Sequence, residues 1–153
     1  MPRRPIMSLA ACLLVGFAVP GHAVLGGNEA DIPIEAAAAR MQIRPVDSGN
    51  GRYRLHEMRD GAARSLVRQY SRADGKVFGV AWDGAVKPDL GRLLGPYYAR
   101  YIDAVQVAGR ARGTRQIVGS DFVIVVSGHM RHFTGAAWLP GLKPADVDPA
   151  EIR

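Results

Sequence analysis

Between residues 52 and 84 the chain alternates apolar and polar side chains in three short runs. In "RYRLHEMR" (52–59) the alternation puts Tyr53 and Leu55 on one face and Arg54 and His56 on the other, the period of a half-buried strand. "ARSLVRQYS" (63–71) continues with a mixed alternation, and "KVFGVAWDG" (76–84) sets Phe78, Val80 and Trp82 on one side. Asp60-Gly61 and Asp74-Gly75 stand between the runs, and Asp-Gly turns between alternating segments predict an antiparallel meander.

The period then changes. Leu90, Leu93, Leu94, Tyr97, Tyr98, Tyr101, Ile102 and Val105 form one helical stripe. Gly95-Pro96 interrupts it. Proline lacks a backbone donor and clashes with the preceding turn, so the stripe predicts a kink, or a short helix followed by a second one with Pro96 in its first turn. The three tyrosines fall on the core side of this stripe. Further on, "SDFVIVVSG" (120–128) is apolar on both faces, as a central strand is. "HMRHFTGAAWLP" (129–140) reads as another strand after a break at Gly128, with Gly135 marking a bulge or a close approach. At the other end, Asp31 is placed to cap a helix over 32–42, with Pro33 in its first turn and Glu35 near its positive end. Residues 44–51, "RPVDSGNG", have loop composition. The tail 141–153 is loop-like, with Asp148-Pro149 able to start a last helical turn. The predicted fold is α+β: a single domain with an antiparallel sheet of about five strands, in the order helix, three-strand meander, kinked helix, two strands, and with helices on one face.

The first 23 residues stand apart. Arg3 and Arg4 precede the apolar run "SLAACLLVGFAV", and "PGHA" closes it on small residues. A basic region, an apolar stretch of about a dozen residues and a small-residue site describe a secretory signal peptide. Cleavage is expected between Ala23 and Val24, leaving 24–153 as one exported domain. The run is shorter than the roughly 18 to 20 apolar residues a membrane-spanning helix needs. "LAAC" (9–12) resembles a lipoprotein box that would acylate Cys12, but its strongest apolar stretch would then follow the cut. Cys12 is the sole cysteine, so the domain has no disulfide, no thiol nucleophile and no zinc-thiolate site.

The formal charge is +6, two of it from the leading segment. The remaining basic residues are mostly arginines interleaved with acids, which does not make the continuous basic face of a nucleic-acid binder. One cluster stands out, Arg110, Arg112 and Arg115 in "GRARGTRQ", a glycine-bearing loop that reads first as solvated surface and second as a contact for an anionic polymer or lipid headgroup.

The tract "VRQYSRADGKVFGVAWDGAVKPDLGRLLGPYYARY" (67–101), with "SGHMRHFTGAAWLP" (127–140) and the closing "EIR", resembles the domain of unknown function 2844, a family of short exported proteins of Gram-negative bacteria. The resemblance spans most of 24–153. It implies export to the periplasm or the outside of a Gram-negative cell and a single-domain architecture, and it carries no mechanism. Where that family has a glutamate in "REY", this chain has Gln69 in "RQY".

The densest group of chemistry-bearing residues is "GHMRHFTG" (128–135). Read as a strand, it places His129 and Arg131 on one face and His132 on the other, so the two histidines do not share an ion. His56, His129 and His132 show no HxH or HExxH spacing. Ser120, Asp121, Ser127 and His129 lie near one another in sequence, yet "VVSGH" is not a nucleophile elbow. Asp83 and Asp89 flank a proline-containing turn and do not make a carboxylate pair for hydrolysis. "LGG" (25–27) and "GNG" (49–51) lack the strand-then-helix context of a phosphate loop, so no cofactor is implied. The expected function is a non-catalytic binding or assembly module of the cell envelope. Its expected contact surface is His129, Arg131, Arg110, Arg112 and Arg115, and its partner another exported protein or an anionic envelope polymer. Two alternatives stand beside it: a small periplasmic hydrolase using His129 with Asp121 or Ser127, and an envelope protein anchored through Cys12.

Overall fold

A computed structural model of the chain describes residues 24–47, 51–62, 64–109 and 113–153. The leading segment 1–23, with Cys12 and Ala23, lies outside the described residues, as do Arg110 and Arg112. Seven strands run β1 (Gln42–Asp47), β2 (Arg54–Asp60), β3 (Ser65–Ser71), β4 (Val77–Gly84), β5 (Arg115–Val118), β6 (Val123–His129) and β7 (His132–Trp138). They form one antiparallel sheet in the order β1-β2-β3-β4-β7-β6-β5. Two meanders, β1 to β4 and β5 to β7, are thus joined at β4 and β7. Three short helices complete the chain: α1 (Ile32–Ala38), α2 (Leu90–Leu94) and α3 (Tyr98–Ala108).

The expected sheet of about five strands is therefore corrected to seven, and the fold is mainly β with a few helical turns. Both extra strands are edges. β1 takes up the proline-bearing segment that reads as loop. Pro45 is tolerated because an edge strand has one side without ladder partners. β5 is four residues long and, among the described residues, pairs with β6 alone. The first helix is also shorter than expected. It ends at Ala38, Arg40 turns the chain at φ 56°, and Gln42 already belongs to β1. Asp31 makes no capping bond, because a 3-10 turn over Glu29–Asp31 runs directly into α1.

The helical stripe breaks where Gly95-Pro96 predicts. Asp89 caps α2, its side chain accepting the backbone N–H of Arg92 at 3.1 Å. Gly95 then adopts φ 52°, and Pro96 opens a 3-10 turn leading into α3. A Cβ at Gly95 would stand 2.8 Å from the Val24 side chain, so the position needs glycine for both conformation and space.

The helices cover one face of the sheet. Ile32, Ala36, Leu90, Leu93, Leu94 and Tyr101 pack there against Met58, Val67, Val77, Val80, Trp82, Ile124 and Ala137. The opposite face has a smaller core, Tyr70, Phe78, Ala81, Ala136, Val147 and Ile152, supplied partly by the C-terminal tail. Phe78 and Trp82, expected on one side, lie on opposite faces. The β3–β4 register jumps from Tyr70↔Gly79 to Ser71↔Val77, leaving Phe78 as the extra residue of a bulge, and a bulge resets the alternation. Gly135 marks a close approach, since a Cβ there would meet the Trp82 indole at 2.2 Å.

Candidate functional site

The "GHMRHFTG" tract is a tight hairpin. β6 runs through His129, Met130 and Arg131 make the turn, and β7 begins at His132. Arg131 sits at φ 63°. The expected sharing of a face by His129 and Arg131 is thereby corrected. His129 pairs across the hairpin with His132, and their rings stack with centroids 6.4 Å apart at 15°. The turn puts two residues between them, so a residue count along one strand gives the wrong face. Met130 is almost fully exposed at the tip.

Of the residues considered for hydrolysis, Asp121 is not brought to His129. Asp121 precedes β6 and is ion-paired with Arg100 of α3. It lies the length of β6 from His129, about 20 Å at the usual strand rise. The Ser127 hydroxyl bonds Thr114 at 3.2 Å, whereas an activated nucleophile bonds its base. Arg115, from the basic loop, donates to the carbonyls of Val105 and Gly109 at the end of α3, so it serves as a helix C-terminal cap. His56, on β2, bonds Glu29 at 2.9 Å beside Arg54. Burial pushes the Glu29 carboxyl up, but hydrogen bonds led by Arg54 and His56 outweigh it and hold the group below its ordinary value.

Among the described residues each face carries a hollow. On the tail side a trough of about 600 Å³ lies over β4, β7 and β6. Its floor is Ala136, Gly135 and Val125, with Asp83, Ser127, Thr134 and Trp138 around them. One wall is the tail, through Pro149, Ala150, Ile152 and Arg153. The small floor residues keep it open. The register sets Ser127 opposite Thr134 and Thr134 opposite Asp83, a polar row crossing three strands toward His129 and His132. His132 is 3.8 Å from Asp83 with both half exposed, a pair worth little in water.

The tail is held by specific bonds. Arg52 grips Glu151 through both carboxylate oxygens at 3.0 and 2.8 Å. Asp148 and Glu151 form a capping box on the last 3-10 turn. The Tyr70 hydroxyl donates to the Arg153 carbonyl at 2.9 Å and accepts its N–H at 3.2 Å. Arg68 also reaches the Arg153 carbonyl, and with Arg59 it clasps Glu57. The Arg59 bond first, with Arg68 added and burial opposing, holds Glu57 below its ordinary value.

On the helix side a cavity of about 190 Å³ opens between α1, the ends of β2 and β3, and the β4–α2 loop. Its inner wall carries Glu35, 9% exposed, which accepts from the buried Gln69 amide at 3.1 Å. Burial pushes the Glu35 carboxyl up, Asp89 adding to the rise and Gln69 and Arg92 opposing it. Glu35 reads in the sequence as a dipole partner at a helix start. Glu35 and Ala36 stand at i+3 and i+4 from Ile32 on the buried stripe, and that spacing is the signal that places Glu35 inside. Gln69 is its hydrogen-bond partner.

One antiparallel seven-stranded sheet, helix-covered on one face and tail-covered on the other, with a ligand-sized hollow on each, makes this a mainly β single-sheet protein. The chain belongs to the family described as protein of unknown function (DUF2844), whose model matches residues 21–152. No curated protein and no solved structure matches it.

Proposed function

We propose that this is an exported, non-catalytic binding module of the cell envelope, and that its trough takes an extended segment of another envelope protein. The observation that carries the reading is the trough: a hollow of about 600 Å³ with a small-residue floor, an aromatic wall at Trp138 and a row of hydroxyl and carboxylate groups. Such a mixture of apolar floor and convergent polar groups suits a bound chain. A protein partner is favoured over an anionic polymer because Arg115 and Arg68 spend their guanidinium groups on this chain's own carbonyls and on Glu57. Export is supported by the leading segment, and by Leu25, fully buried just beyond the expected cut at Ala23.

A photo-crosslinking residue at Ser127, in the trough, tests this in intact envelopes against the same residue at Val107, 90% exposed on α3. One discrete protein adduct from position 127, absent from position 107 and lost when Ala136→Trp fills the trough, is the expected result. No adduct, or the same adduct from both positions, overturns it. The mass of the recovered chain reports on export: a start at Val24 is expected, and an acylated Cys12 would make the protein a lipid-anchored one.

A further inference from the structure

The helix-side cavity is a different site from the trough and does not depend on the reading above. We propose that it binds a small primary amine carrying an aromatic or branched apolar body, with Glu35 as the residue that pairs with the ammonium group.

Size sets the first limit. An apolar protein cavity of about 150 Å³ holds a benzene ring, so about 190 Å³ takes one ring with a short substituent. The wall chemistry sets the second. Met41, Met58, Val67 and Leu93 line the hollow and offer contacts to an apolar body, two of them through adaptable thioethers. Against these walls sits one carboxyl. Among the described residues Gln69 is its one hydrogen-bond donor, and a carboxylate accepts about four hydrogen bonds. An ammonium group supplies the missing donors together with the opposite charge, the combination that makes buried hydrogen bonds strong. A neutral alcohol supplies only a single donor, and a carboxylate ligand repels.

The rim agrees. Asp60 and Asp89 stand there against Lys87 and Arg92, and with Glu35 ionised the acids outnumber the bases. Arg92 forms no ion pair with Glu35 among the described residues, so the inner carboxylate is left for a ligand. Burial raises Glu35 from its ordinary value, and a paired ammonium returns it to the charged form. Amine binding and Glu35 ionisation are therefore coupled.

The probes are benzylamine and benzyl alcohol, which share size and shape and differ in charge, titrated into the isotopically labelled domain while methionine methyl resonances are followed. Benzylamine is expected to shift Met41 and Met58 saturably. Met130, 97% exposed at the hairpin tip, should stay still and report any non-specific effect. Benzyl alcohol should bind about ten-fold more weakly or less, the scale of one charged hydrogen bond. Glu35→Gln should lower benzylamine affinity by about the same factor and leave benzyl alcohol unchanged. Failure of benzylamine to shift the two cavity methyls, or equal affinity for the two probes, overturns the proposal. The comparison of probes on the unaltered protein decides the matter even where Glu35→Gln fails to fold.

Discussion

Glu57 on the tail face of the sheet and Glu35 on the helix face are housed in opposite ways. On the tail side the two carboxylates that fasten the tail and its strand are matched by arginine: Glu57 by Arg59 and Arg68, Glu151 by Arg52. Those groups are held below their ordinary values. On the helix side Glu35 is buried under α1 with one amide donor and lies above its ordinary value. The tail is too short to cover its face with apolar side chains, so paired charges and main-chain bonds fasten it and leave a trough. The helices do cover their face, and a carboxyl enclosed there has little to pair with. Fastening a segment and enclosing a carboxyl are thus assigned to different faces.

Core truncation should strain this contrast most. Phe78→Ala on the tail side is expected to cost about 3–5 kcal/mol and Leu94→Ala on the helix side about 2–5, since both are fully buried. Urea unfolding followed by circular dichroism should show one transition in each variant. A second, earlier transition in Phe78→Ala alone would mean that the tail face melts by itself. Next in size is Gly135→Ala, expected to cost about 1–3 kcal/mol by overpacking. Its Cβ would strike the Trp82 indole, so tryptophan fluorescence should shift along with the melting temperature. Tyr70→Phe should cost less, about 0.5–1.5 kcal/mol, by releasing the backbone of Arg153, with faster amide exchange confined to the tail.

The smallest effects concern pH, and they have opposite signs. Glu57, lowered in the folded state, contributes stability that is present above the ordinary glutamate range and lost as pH falls through its folded value. Glu35, raised in the folded state, does the reverse: stability declines as pH rises from the ordinary range to its folded value, then levels off. Thermal melts between pH 3 and pH 8 should therefore show Glu57→Gln losing stability mainly at the upper end. Glu35→Gln should gain there relative to the parent. Matching responses from the two variants would break the comparison between the faces.

What could be seen in the sequence follows from where each element's pattern comes from. β2, β3, β4, β6 and β7 each have strands on both sides, so burial writes its period into their side chains. The Gly95-Pro96 break is equally local, because proline carries its own steric rule. β1 and β5 are edges, and their strand state comes from main-chain bonds to β2 and β6. Arg44-Pro45-Val46 therefore carries no strand period. The face of Phe78 depends on one extra residue in a ladder, and the pairing of His129 with His132 on where a turn falls. Neither is visible in composition. The trough needs Asp83 beside Thr134 and Ser127, which are about fifty and forty residues away along the chain.

The residues by themselves determined the antiparallel segments, the broken helix, the absence of cysteine beyond Cys12 and the resemblance to the family. All of these are matters of neighbours in sequence or of composition. The tertiary structure alone decided which carboxylates are paired and which is enclosed. A charge's state depends on what the fold packs within a few ångströms of it, and Gln69 reaches Glu35 from thirty-four residues away.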